Sequence, residues 1–134
     1  MPIIIIKAWG TNNQKPETGS IKPPIIEKSK IEYLKNKGVD LFKIDRGGDV
    51  TYHGPGQIVA YPIFDLETFG IGLRQYVTKL EEVMIRFLAL YNIKAERSEG
   101  ATGVWLNTDN PKKIRKIGAI GVRSSRFITM HGFA

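Results

Sequence analysis

The sequence predicts an α+β, or mixed α/β, domain, and three of its features carry that expectation. One strong helical periodicity runs from Gly72 to Tyr91, apolar strand-like segments lie on both sides of it, and glycine, proline and Asp/Asn clusters separate the segments. Of 134 residues, 42% are apolar and 25% charged. That is enough apolar material for one domain with a core, and no composition shift, repeat or low-complexity stretch suggests a second.

Taken in order, Ile3 to Ile6 is a buried or edge strand, and Thr11 to Pro24 is polar and turn-rich, a loop. Glu27 to Lys37 is helical, with Ile31 and Leu34 on one side and lysines on the other, and Gly38 terminates it. Val39 to Ile44 returns to a strand pattern. Then comes Arg46-Gly47-Gly48-Asp49-Val50-Thr51-Tyr52-His53-Gly54-Pro55-Gly56-Gln57, polar and dense in glycine, running into the apolar stretch Ile58 to Phe64. Gly47 and Gly48 allow close backbone approach to a ligand, and Val50-Thr51-Tyr52 favours an extended pleat. With Gly54-Pro55-Gly56 as a turn, the segment reads as a hairpin whose first strand carries polar groups into a cavity, Arg46 and His53 bracketing one wall.

In the long helix Leu73, Tyr76, Val77, Leu80, Val83, Met84, Phe87, Leu88 and Tyr91 recur at three- and four-residue steps, and Arg74, Lys79, Glu81, Glu82 and Arg86 form the polar face. The apolar stripe is expected to pack on a sheet rather than to serve as a partner groove. Three further strands follow, Gly103 to Asn107, Ile114 to Arg123 and Phe127 to His131, separated by Asp109-Asn110-Pro111 and by Ser124-Ser125.

Composition excludes several classes of function. Zero cysteines leave no disulfide or thiolate metal site, and two histidines, His53 and His131, are too few for an ordinary zinc cage, so no metal is expected. No apolar run approaches the roughly 20 residues that span a bilayer. Met1 to Ile6 has neither a basic leader nor a small-residue cleavage site, and a cytoplasmic location is expected. The formal charge of +7 points to acidic partners. Its densest stretch, Lys112-Lys113-Ile114-Arg115-Lys116, is either a solvated turn flank or a docking face for an acidic protein; with no nucleic-acid-binding signature beside it, neither nucleic acid nor membrane is expected as a partner.

Two blocks of the chain resemble the octanoyltransferases of lipoic acid synthesis, the B-type lipoyl(octanoyl) transferases. One is Arg46 to Gln57. The other comprises Gly103-Val104-Trp105-Leu106, Lys116-Ile117-Gly118-Ala119-Ile120-Gly121-Val122-Arg123 and Thr129-Met130-His131-Gly132-Phe133-Ala134. The resemblance covers about Ile31 to Ala134 and implies the mixed sheet flanked by helices that this family shares with biotin and lipoate ligases, as a single, incomplete catalytic domain over residues 1–134. It further implies a two-step acyl transfer without nucleotide, metal or other cofactor. Octanoyl-acyl carrier protein acylates an enzyme cysteine, and a lysine of a lipoyl domain, in 2-oxoacid dehydrogenases or the glycine cleavage H protein, then takes the acyl group as an amide.

By the same resemblance Lys116 is the lysine that activates the thiol, shifting it toward thiolate. Arg46, Gly47, Gly48, Asp49, Val50, Thr51, Tyr52 and His53 match the family's substrate-contacting segment, as do Ala119, Ile120 and Gly121 and, in the last block, Gly132, Phe133 and Ala134. His53 either contacts ligand or orients the hairpin through a hydrogen bond, His131 is structural, Asp49 tightens the turn, and Tyr52, Tyr61 and Trp105 are core or pocket wall. The family's nucleophilic cysteine lies a short way past the position of Ala134, and an additional strand and helix precede the position of Pro2. Three readings therefore stay open: a truncated octanoyltransferase, a non-catalytic acyl- or partner-binding remnant, and an ATP-dependent lipoate–protein ligase-like enzyme. The Arg46-Gly47-Gly48-Asp49 and His53-Gly54-Pro55-Gly56-Gln57 pattern differs from that of the ligases.

Overall fold

The computed structural model describes residues 3–7, 28–44 and 51–134. Contacts fall into two compact units, Met1–Gln57 and Ile58–Ala134. The expected loop from Thr11 to Pro24 and residues Arg46 to Val50 lie outside the described residues.

In the first unit β1 (Ile3–Lys7) is the central strand, with β2 (Asp40–Ile44) parallel on one side and β3 (Thr51–His53) antiparallel on the other. A parallel pair needs a crossover, and helix α1 (Lys28–Asn36) lies in the one between β1 and β2. The helix ends where the sequence indicates: the Val39 N–H returns to the Leu34 carbonyl at 3.1 Å, satisfying one of the orphan carbonyls of the last turn. The expected hairpin is corrected here. Gly54 to Gln57 does form a turn, closed by the Gln57 N–H on the Gly54 carbonyl at 3.2 Å, but β3 takes β1 as its partner instead of the chain that follows the turn.

The second unit is organised by α2 (Leu73–Ala89). Its start has half of a capping box, the Gly72 N–H donating to Gln75 Oε1 at 3.0 Å. The helix packs on two antiparallel sheets, one of β4 (Glu96–Ser98), β5 (Ala101–Leu106) and β6 (Arg115–Gly118), the other of β7 (Ile120–Ser125) and β8 (Ile128–Phe133). Tyr76 and Leu80 join Leu66 and Val122 in one core cluster; Met84 joins Ala95 and Val104 in a second; Ile120 and Phe133 pack against both. Fully burying a side chain such as Leu66 or Val104 contributes roughly 1.5–3 kcal/mol.

The helix departs from its expected faces in two places. Leu73, Val83, Phe87 and Tyr91 belong to the apolar periodicity yet are exposed, because the buried arc runs through Tyr76, Leu80 and Met84 and the sheets cover no more of the circumference. Glu81, expected on the polar face, is buried. The expected strand from Ile114 to Arg123 is two strands, since the chain passes from the first sheet to the second at Ala119.

The apolar stretch after the turn is a strand only in part. Ala60 pairs with Phe133 and Asp65 with Ile128, both in the same antiparallel register along the free edge of β8. Between these bridges Pro62 has no N–H to donate, and His131 has φ 60°, outside the strand range. Thr129 replaces the missing ladder bonds. Its hydroxyl donates to the Pro62 carbonyl at 2.9 Å and accepts the Phe64 N–H at 2.7 Å, while its own N–H reaches the Phe64 carbonyl at 2.9 Å. Tyr76 adds its phenol to the Pro62 carbonyl at 3.4 Å, and burial raises the pKa of that phenol.

Replacing Thr129 by Val keeps the shape and strands the Phe64 N–H; denaturant unfolding is expected to show a loss of about 1–3 kcal/mol, with Thr129→Ser retaining most of the stability. A second expectation concerns pH. The Glu82 carboxyl is held below its ordinary value of 4.5 by hydrogen bonds from Arg86 and Arg97, and that of Glu96 by Thr108 and Lys94. Carboxyls depressed in the folded state stabilise it above their unfolded value and lose that contribution as pH falls. Thermal unfolding of Glu82→Gln/Glu96→Gln should therefore converge on that of the parent protein as pH drops below 4.5 and diverge above it.

Candidate functional site

The structure brings six of the sequence-predicted site residues together. Ile120 pairs with Phe133 and Gly121 with Gly132, and Ala119 and Ala134 exchange two backbone hydrogen bonds of 2.8 and 2.9 Å that prolong the ladder. Segment 60–62 lies against the other edge of β8, with the Ala60 N–H on the Phe133 carbonyl at 2.9 Å. Gly132 is required by that approach: a Cβ there would run into the Ala60 carbonyl and stand 2.8 Å from Pro62 Cδ. The side chains of Ile120 and Phe133 are partly buried against both core clusters, so what this strip offers a ligand is its small residues Ala119, Gly121 and Ala134 and its backbone.

Lys116 stands on β6, directly opposite Trp105 on β5. Its residue is exposed and its Nζ lies 4.6 Å from the centroid of the Trp105 ring, a cation–π contact. The ring is half-buried, and its Nε1–H donates to the Ala101 carbonyl at 3.2 Å. Register shifts interrupt both ladders of β5: between Val104 and Trp105 on the β6 side, and between the pairs Glu96–Trp105 and Ser98–Ala101 on the β4 side. Gly103 lies within this irregular stretch at φ 115°, and its N–H goes to Glu81 Oε1 at 2.9 Å.

Glu81 is the residue that sequence reasoning missed. Its other oxygen accepts Arg97 Nε at 3.1 Å, and Arg97 also donates to the Thr78 carbonyl at 3.1 Å and to Glu82 Oε2 at 3.0 Å. The available signal was helical phase, for Glu81 stands one turn after Val77 and one before Ile85, both half-buried. Its ion pair with Arg97 has no sequence signature.

Of the first block, Thr51, Tyr52 and His53 form β3, while Arg46, Gly47, Gly48, Asp49 and Val50 lie outside the described residues. His53 Nδ1 is 2.7 Å from Gln57 Oε1, a bond that orients the turn. Tyr52 and Tyr61 are exposed and so are not core; Tyr61 meets His131 edge-on at 6.3 Å between ring centroids. Among the described residues no cluster of three or more His, Cys, Asp or Glu is placed to hold a metal, and no helix is long and apolar enough to cross a membrane.

The chain resembles known proteins over most of its length. The lipoyl protein ligase A/B catalytic domain matches residues 17–134. An octanoyltransferase of Parabacteroides distasonis is 63% identical over 103 residues, 77% of this chain and 47% of that protein. One of Porphyromonas gingivalis is 62% identical over 101 residues, covering 75% of this chain and 20% of the relative, and one of Bacteroides fragilis is 60% identical over 103 residues, 77% and 46%. The chain thus spans about half the length, or less, of these curated relatives. With a family match over all of its second unit and most of its first, the chain belongs to the lipoyl protein ligase A/B catalytic-domain family, and the relatives named above are octanoyltransferases.

Proposed function

We propose that this chain forms the acyl-handling part of an octanoyltransferase domain, taking an octanoyl group from octanoyl-acyl carrier protein toward a lysine of a lipoyl domain, of 2-oxoacid dehydrogenases or of the glycine cleavage H protein. The observation that supports it best is the side-by-side pairing of Ala119–Gly121 with Gly132–Ala134, a strip of small residues on which an extended acyl chain can lie close to backbone, with Lys116 three residues upstream.

In the first step a thiolate attacks the thioester carbonyl, the tetrahedral oxyanion collapses, and the carrier's thiolate leaves and is protonated. In the second, the neutral amine of the acceptor lysine attacks the new thioester, gives up a proton, and expels the enzyme thiolate. The second step makes an amide from a thioester and runs downhill, so the cycle calls on no nucleotide or metal. Lys116 supplies the positive charge that favours thiolate over thiol. The 134 residues contain no cysteine, so the sulfur of this cycle enters from outside them. Lys112, Lys113 and Arg115, all exposed, give the approach to Lys116 a positive field that steers acidic partners.

A non-hydrolysable octanoyl-pantetheine amide, titrated into isotope-labelled protein, is expected to shift the amides of 119–121 and 132–134, more strongly than its butyryl or palmitoyl counterparts and without ATP. Absence of such shifts, or a requirement for ATP, would overturn the reading. In a protein that carries the family's cysteine, Lys116→Ala is expected to slow acylation on the order of 10²-fold; an unchanged rate removes Lys116 from the mechanism.

A further inference from the structure

We infer that Glu81, Gly103 and Trp105 form a seat that positions the Lys116 ammonium, with Glu81 fastening that seat to helix α2. For catalysis the inference rests on the role proposed for Lys116; as a statement about where the ammonium is held, it stands on its own contacts.

A Cβ at Gly103 would lie 3.3 Å from Lys116 Cε, 3.5 Å from its Cδ and 2.5 Å from the Gly118 carbonyl oxygen. The lysine stem therefore passes over a Cα left bare, in the space a side chain would fill. Beyond Gly103 the ammonium comes to rest over the Trp105 ring, 4.6 Å from its centroid. Both groups that shape this path are tied down by the same irregular stretch of β5. The Ala101 carbonyl holds the indole N–H, and the Gly103 N–H is held by Glu81.

The Glu81 bond has consequences beyond local stability. A bulged amide has no ladder partner, and without an acceptor a buried N–H would pull the strand toward regular pairing. Regular pairing with β4 would reset the stretch 101–105 and move the bare Gly103 Cα from beneath the lysine stem, since a one-residue slip turns each side chain to the opposite face. By taking the Gly103 N–H on a carboxylate that Arg97 anchors from β4, the helix holds β5 at the point where the lysine stem crosses it, two residues from the Trp105–Lys116 pair. Trp105 and Glu81 are thus positioning residues: one bears the ammonium, the other holds the backbone over which its stem passes.

The test reads the seat directly. Each lysine is acetylated with a limiting N-hydroxysuccinimide ester and quantified by peptide mass spectrometry, with Lys112 and Lys113 of the adjoining turn as references within the same chain. In the parent protein Lys116 is expected to react about 2- to 5-fold more slowly than these references, the factor an exposed cation–π contact gives. Trp105→Leu and Glu81→Ala should each abolish the difference. Glu81→Gln should preserve it, because the amide oxygen still accepts the Gly103 N–H.

Equal labelling of Lys116 and its references in the parent overturns the seat, as does undiminished protection in folded Glu81→Ala. Should Glu81→Ala not fold, the Glu81→Gln and Trp105→Leu proteins decide: loss of protection in the first, or its persistence in the second, refutes the inference. Labelling needs no acyl transfer. A protected Lys116 whose removal leaves acylation intact would sink the catalytic role and spare the seat, while an unprotected but essential Lys116 would do the reverse.

Discussion

A part-buried proline, with a carbonyl to satisfy and no N–H to donate, is the constraint around which the second unit is built. Pro62 interrupts the row of backbone donors where the chain must lie along the free edge of β8, and one threonine hydroxyl, fully buried at Thr129, both feeds the Pro62 carbonyl and accepts the next available N–H. An unpaired backbone group there costs about 1–3 kcal/mol, so the hydroxyl reinforces the docking of segment 60–66 beside its backbone bonds to Phe127, Thr129 and Phe133. With the segment docked, Leu66 enters the core beneath Tyr76 and Leu80, and the Ala60 carbonyl comes so near Gly132 that only a hydrogen fits. The small-residue strip of β7 and β8 is defined from both edges by this arrangement.

Charge burial organises the other sheet in a comparable way. Glu81 is withdrawn from water on the helix between Val77 and Ile85, and both its oxygens are occupied, one by a guanidinium that is itself half open to solvent and one by a backbone N–H. Such an ion pair is a weak source of net stability, since desolvation offsets most of its attraction. What it supplies is selection among registers, because alternatives that leave the carboxylate without its amide are penalised.

How much of this was legible beforehand depends on whether the signal was local. The α2 periodicity, the end of α1 at Gly38 and the extended character of Thr51 and Tyr52 follow from propensity and spacing, and the structure has all three. The hairpin failed because pairing partners are tertiary facts: turn chemistry at Gly54 to Gly56 is real, yet β3 finds β1, far away in sequence. β4 went unread since three polar residues, Glu96 to Ser98, carry no alternation, and the break at Ala119 was hidden in a continuous apolar-and-glycine run. The site divided along the same line. The two glycine-containing triplets stand out in the sequence, but their adjacency comes from the pairing of β7 with β8, and Glu81 acquires its importance only from Arg97 and Gly103, neither of which its own surroundings announce.

The irregularity of β5 has one more effect. Because the pairing of Trp105 with Lys116 is set within the strands, by bulges on either side and a glutamate behind them, the connection through residues 107–114 does not set it. That surface turn, which already spends its hydrogen bonds internally through Asn107 and Asn110, is free to lengthen, shorten or change its charges over evolutionary time. The charge of the rim can thus drift while the Lys116 ammonium stays over Trp105.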